Sequence, residues 1–169
     1  KGCGKKVMLI FGKNSAKKSG VYSKVLDQLK DLEIKEFWGI EPNPRVETIR
    51  KALTLAKDFK PNILLAVGGG SVIDATKLIS ASYYTGSDPW EVVNDANQIT
   101  KALPLATVLT VAATGSEMDC YSVITNWSEH KKNSWESTLV YPQFSILNPE
   151  FTYSLSALQT AYGIVDIYS

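Results

Sequence analysis

Three scarcities bound this 169-residue sequence before any motif is read. Histidine is nearly absent: His130 stands alone, beside Lys131 and Lys132 in a polar stretch. With no second ligand at useful spacing it reads as a solvated surface residue, and these groups cannot assemble an ordinary transition-metal site. Cysteine is scarce too. Cys3 and Cys120 lie far apart and outside any CxxC pair, so free thiols and a cytoplasmic setting are the better reading and a disulfide the weaker one. The third lack is charge bias: 18 Lys+Arg against 17 Asp+Glu leave a net charge of +1. That argues against the basic stripe and excess Lys/Arg a nucleic-acid partner requires. No apolar run approaches the roughly 20 residues that span a bilayer, and no signal-peptide pattern is read at the start, so no membrane partner is expected. What is present, 44% hydrophobic and 21% charged residues, is the usage of one globular domain.

Short apolar runs alternate with helical stripes. Lys6-Val7-Met8-Leu9-Ile10-Phe11 and Ile63-Leu64-Leu65-Ala66-Val67 read as strands buried on both faces. Between them, Val21, Val25, Leu26, Leu29 and Leu32 predict a helix over residues 17–32, and Ile34-Lys35-Glu36-Phe37 a second strand. Val46, Ile49, Leu53 and Ala56 mark the buried stripe of a further helix. This alternation implies βαβ units and a parallel sheet. After residue 85 the pattern loosens. Gly86-Ser87-Asp88-Pro89 reads as a turn, residues 103–112 contain a strand, and residues 121–125 and 139–141 are expected to pair as a hairpin. Phe144–Leu147 is a last short strand, and Ser156 with Gln159 forms a capping box that opens a helix. That helix reaches Ser169 without a C-cap signal, so the chain is expected to stop within it.

The strongest local signal is Gly68-Gly69-Gly70-Ser71-Val72-Ile73-Asp74-Ala75-Thr76-Lys77, set between the third strand and a helix. Glycines let a backbone approach a ligand closely, and the amides and positive dipole of the following helix suit a diphosphate. A plain tight turn with Ser71 and Asp74 as a capping box accounts for the same residues. The position, at a strand's carboxyl end in an open α/β sheet, favours the ligand. The first βα turn, Phe11-Gly12-Lys13-Asn14-Ser15, is not G-x-G-x-x-G, so any dinucleotide is held differently from the standard Rossmann arrangement.

The glycine loop is followed by Pro104-Leu105-Ala106-Thr107-Val108-Leu109-Thr110 and Ala113-Thr114-Gly115-Ser116-Glu117-Met118. Together with Gly39–Pro44, Ser122–Asn126, Phe144–Glu150 and Gly163–Asp166, these segments resemble the iron-containing (group III) alcohol dehydrogenases. The branch they look most like is that of butanol dehydrogenases and broad-range aldehyde reductases. The resemblance implies an α/β fold: a Rossmann-like parallel sheet with flanking helices, which holds NAD(P) over residues 1–150. Residues 151–169 would be the first helix of an all-helical metal-binding domain that is otherwise missing.

Carried over residue by residue, the resemblance implies that Gly69, Gly70 and Ser71 touch the pyrophosphate. Asp74 would support that loop or approach the nicotinamide ribose. Thr110 and Thr114 would lie beside the adenine and ribose, with plain strand-end hydrogen bonding as the alternative. Lys132 would reach the ribose, unless it is a solvated surface lysine, and Leu147 would line the adenine pocket, unless it is ordinary core. Gly12, Lys13 and Ser15 would meet the adenosine end. Lys13 stands where NAD-selective members place an Asp, which favours NADP(H) over NAD(H) because an ammonium suits a 2′-phosphate; the alternative is a solvated turn lysine. Asp166 matches a ligand of a divalent metal, iron, zinc or similar, whose other ligands would be histidines. The implied reaction is hydride transfer between nicotinamide and a small alcohol or aldehyde. A homodimer is expected, and this chain alone is expected to bind cofactor without turnover. The competing readings are a glycerol dehydrogenase or dehydroquinate synthase relative, and a non-catalytic nucleotide-binding module.

Overall fold

The structure, a computed structural model, describes residues 4–168. Cys3 and Ser169, and the expectations that rest on them, lie outside the described residues; Cys120 is buried and free. The apolar runs form the centre of a parallel sheet. Strands β1 (Lys6–Gly12), β2 (Glu33–Ile40), β3 (Ile63–Gly68), β4 (Leu105–Leu109) and β7 (Ser145–Ile146) lie in the order β2-β1-β3-β4-β7. Because β1, β3 and β4 are flanked on both sides, their residues alternate between two cores. Met8, Ile10, Leu64, Ala66 and Leu105 face one, while Val7, Leu9, Phe11, Leu65, Val67 and Val108 face the other. Helices α3 (Val46–Phe59) and α4 (Gly70–Thr85) cover the first face, with Val46, Ile49, Leu53 and Ala56 all buried as their spacing requires. Helices α1 (Ser15–Lys18) and α2 (Val21–Gln28) cover the second.

Three local expectations give way. The single helix over residues 17–32 is two, because Gly20 between them takes φ +76°, a left-handed value that a continuous α-helix cannot hold. The hairpin pairs β5 (Tyr121–Asn126) with β6 (Lys131–Glu136), and Leu139 instead sits in a 3-10 turn at Thr138–Val140. β6 reads Lys-Lys-Asn-Ser-Trp-Glu and buries Trp135 alone, so apolar periodicity could not announce it. The turn at Gly86–Pro89 leads into a further helix, α5 (Pro89–Asn94), opened by a full capping box between Asp88 and Glu91. The signal was in the sequence as Asp-Pro-Trp-Glu, a cap with proline at the first helical position. Finally α6 (Ala157–Tyr168) follows Ser156, whose hydroxyl accepts the Gln159 amide at 3.2 Å.

Candidate functional site

From β1 the chain steps outward to β2, then crosses back over β1 to β3. The order therefore reverses between β1 and β3, and open parallel sheets leave a crevice at the carboxyl ends of the strands there. The loop Gly12–Ser15 leaves β1 on one side of that crevice, and Gly69–Ser71 leaves β3 on the other. Three adjoining clefts occupy the region. The first, about 440 Å³, is bounded by Gly12, Lys13, Ser15, Glu41, Ser71 and Thr114. The second, about 420 Å³, shares Gly70, Ser71 and Thr114 with it and continues to Asp74, Lys132 and Asp166. The third, about 290 Å³, runs past Ser15, Gly69 and Thr110.

The glycine loop is shaped for a close approach. Gly69 is the N-cap of α4 and supplies no side-chain cap, while its carbonyl accepts the amides of Val72 and Ile73 at 3.0 and 3.2 Å. The amides of Gly70 and Ser71, first in the helix, have no carbonyl one turn earlier to accept them, the arrangement that binds anions at helix N-termini. A Cβ at Gly70 would collide with the side chain of Thr114, so the loop after β4 can close over the helix end only if residue 70 is glycine.

The capping box expected between Ser71 and Asp74 is not formed. The helix starts at Gly70, which puts Ser71 inside its first turn, and the Asp74 carboxylate is occupied elsewhere. Its Oδ1 accepts the Ser116 hydroxyl at 2.6 Å and its Oδ2 the Val123 amide at 3.1 Å. Burial pushes this carboxyl above its ordinary pKa, outweighing the lowering pull of those two donors and of Lys77.

One turn farther along α4, Lys77 is fully buried. Its Nζ donates to Asp119 Oδ1 at 2.6 Å, to the Tyr121 carbonyl at 2.7 Å and to Ser116 Oγ at 3.0 Å. Lys77 and Ser116 fall inside motifs read from the sequence without a role of their own there, and Asp119 falls outside them. The available signal was a lysine set among the apolar residues of α4, where only a partnered charge is tolerated. Lys132, on β6, is exposed at the edge of the second cleft and donates to Asn43 Oδ1 at 2.8 Å. Thr110 follows β4 with its amide on the Gly68 carbonyl at 3.0 Å, and Thr114 Oγ1 accepts the Ser116 amide at 3.3 Å.

Of the residues expected at a site, Gly12, Lys13, Ser15, Gly69, Gly70, Ser71 and Thr114 meet around the first cleft. Asp74, Lys132 and Asp166 meet around the second, and Thr110 flanks the third. Leu147 lines none of these three and is 54% exposed, so it is not ordinary core. It follows β7, a two-residue edge strand that leaves it outside the sheet. Asp166 comes from α6, whose backbone rests on the Ala112 carbonyl at Gly163, where a Cβ would stand 2.8 Å from that oxygen. Among the described residues no three His, Cys, Asp or Glu side chains converge as a metal cage, so Asp166 contributes one carboxylate and no complete site.

Comparison with known proteins fits this geometry. A family model described as iron-containing alcohol dehydrogenase matches residues 1–149. The chain is 48% identical over 168 residues to the probable NADH-dependent butanol dehydrogenase 1 of Bacillus subtilis, covering 98% of this chain and 43% of that protein. It is 43% identical over 166 residues to the NADPH-dependent aldehyde reductase YqhD of Escherichia coli, covering 96% and 43%. The crystal structure of the NADH-dependent butanol dehydrogenase A of Thermotoga maritima superposes with a TM-score of 0.93 at 41% identity, over 96% of this chain and 41% of that one. The chain thus spans about 43% of the length of the curated relatives it matches.

Proposed function

The chain belongs to the iron-containing alcohol dehydrogenase family, and on that premise we propose that it is the cofactor-holding part of an NAD(P)-dependent alcohol dehydrogenase or aldehyde reductase. Residues 1–150 form the dinucleotide-holding unit, and residues 151–169 open a helical, metal-holding one. The observation that carries this reading is the crevice at the β1/β3 switch point, walled on one side by Gly12–Ser15 and on the other by the open amides of Gly70 and Ser71. Those amides and the Ser71 hydroxyl would hold the pyrophosphate. Lys13 and Ser15, in the first cleft, would meet the adenosine half. Asp74 and Lys132, which border the second cleft, would hold the nicotinamide ribose.

A nicotinamide held there would supply hydride transfer to or from a small alcohol or aldehyde. What this chain contributes is placement. The helix end fixes the phosphates, Thr114 closes over Gly70, and Asp74 and Lys132 set the ribose orientation from opposite sides of the cleft. Asp166 borders the same cleft and presents one carboxylate toward the metal position of the intact enzyme. No described helix is long and apolar enough to cross a membrane.

NADP(H) is the preferred cofactor on this reading. Lys13 is exposed in the first cleft and makes no ion pair with a described residue. Glu41, the acidic group of that cleft, is tied to the Thr48 hydroxyl at 3.0 Å and to Arg45 at 3.6 Å, which leaves Lys13 to meet a 2′-phosphate. Relatives named for NADH and for NADPH both occur, so family alone does not choose. Calorimetric titration of both cofactors into the chain and into Lys13→Ala tests this. The expected result is tighter binding of NADPH by about tenfold, and loss of that margin in the variant. Tighter NADH binding, or an unchanged margin, overturns the preference; no binding of either cofactor overturns the reading itself.

A further inference from the structure

Resting on the cofactor reading above, we propose that Lys77 is a positioning residue for the nicotinamide-ribose half of the dinucleotide, acting through Ser116 and Asp119 on the wall of the second cleft. The Lys77 side chain has no exposed surface. Removing an ammonium from water is costly enough that an apolar side chain of similar volume is often the more stable choice, so a buried charge needs another account. The account here is directional. Its three hydrogens meet three acceptors, Asp119 Oδ1, the Tyr121 carbonyl and Ser116 Oγ, all within 3.0 Å and all on residues 116–121.

That stretch joins the loop after β4 to the hairpin, and Cys120 is its one buried apolar side chain, while Met118 and Tyr121 are 69% and 55% exposed. Lys77 therefore fastens to α4 a segment whose own apolar anchorage is a single small side chain. The consequence reaches Asp74 through Ser116. A hydroxyl that accepts from an ammonium must turn its own hydrogen to another partner, and the one it meets is Asp74 Oδ1 at 2.6 Å. The Val123 amide holds Oδ2, so the carboxylate is clamped from the loop and from the hairpin together. Asp74, Ser116, Asp119 and Lys132 border the second cleft, whereas Lys13 borders the first. Lys77 stands behind one half of the groove only.

This division makes the role separable from simple structural support. The test titrates the 169-residue chain, Lys77→Met and Ser116→Ala with two ligands. One is whichever of NADPH and NADH binds the parent more tightly. The other is its adenosine half alone, adenosine 2′,5′-bisphosphate or ADP. Both variants are expected to lose about tenfold in affinity for the whole dinucleotide, while the half-molecule binds within about twofold of the parent. Equal losses for both ligands would make Lys77 a prop for the whole fold, and no loss would leave it without a role; either overturns the proposal. Should Lys77→Met fail to fold, Ser116→Ala, which deletes one oxygen, decides alone. A parent chain that binds neither ligand fails the cofactor reading, and the role of Lys77 falls with it. With a parent that binds both, any loss in the variants bears on Lys77 and not on the cofactor reading.

Discussion

Residues 6–109 are shaped by apolar burial, whereas residues 110–168 add Ile124, Trp135 and Val140 to that core and are otherwise held largely by polar side chains. In the first region every residue of β3 and β4 is buried, and α4 turns ten of its sixteen residues inward. In the second, the hairpin is tied down by Val123 and Ser122 on Asp74, by Lys132 on Asn43, by Ser128 on Glu47 and by Arg45 lying 4.0 Å from the Trp127 ring centroid. On α6 only Gly163 is buried. The crevice runs along the seam between the two. A rigid frame there presents the helix end, and a polar-pinned wall completes the cleft against it. Affinity should therefore depend on both regions, but stability mainly on the first.

The largest effect that would break this contrast is a cavity. Ile73 has no exposed surface and lies in the core between sheet and helices. Ile73→Ala should lose roughly 2–5 kcal/mol of unfolding free energy, read from urea denaturation. Val165, 67% exposed on α6, is the control, and Val165→Ala should stay within about 0.5 kcal/mol. Comparable losses at the two positions would mean that α6 belongs to the same cooperative core.

A smaller effect sits on the seam itself. Gly70→Ala places a methyl group against Thr114, so the loop after β4 must move away from the helix end. Cofactor affinity should fall about tenfold while the urea midpoint moves little, because the position borders the clefts at the first turn of a helix whose core contacts lie farther along. Unchanged affinity would show that the loop gives way freely and that the two clefts are not held in fixed relation.

How far the sequence foretold this arrangement follows the same division. β1, β3, β4 and the stripe of α3 were legible because burial on both faces writes itself as an apolar run or a 3.6-residue period. The glycine loop was legible as a strand-to-helix turn because its residue types and its place after a strand suit that geometry. The hairpin partner was not: β6 keeps its place through ladder bonds and the single buried Trp135, and its partner strand was sought among Leu139–Tyr141 instead. Nor was the Lys77 cluster, whose members are 39 to 44 residues apart and meet only once the loop after β4 folds back over α4. Polar pins of that kind have no period, so spacing cannot reveal them. Asp74 shows the cost, since its neighbours in sequence offered a cap and its neighbours in space are Ser116 and Val123.

The smallest effect sharpens the contrast through protons. Asp88 belongs to the frame. Its carboxylate accepts Arg50 in two hydrogen bonds of 2.7 and 2.9 Å and caps α5 through the Trp90 amide, and the Arg50 bonds hold its pKa below the ordinary value. A carboxyl depressed on folding lends stability that is present above the ordinary value, about pH 4, and is lost as pH falls through the folded value. Asp74 belongs to the seam and is shifted the other way, by burial. The native state then binds its proton more tightly than the unfolded chain does, so its contribution is full below about pH 4 and is lost as pH rises through the folded value. Urea midpoints across pH 3 to 7 separate the two. Asp88→Asn should flatten the acid limb below about pH 4 and leave the rest of the curve parallel to the parent, a modest change because both partners remain more than one-third exposed. Asp74→Asn should leave the acid limb alone and remove a decline above about pH 4. If the two substitutions altered the same limb, the seam carboxyl would be as well solvated as the frame carboxyl, and the polar wall would not be the low-dielectric surface that a clamped ribose requires.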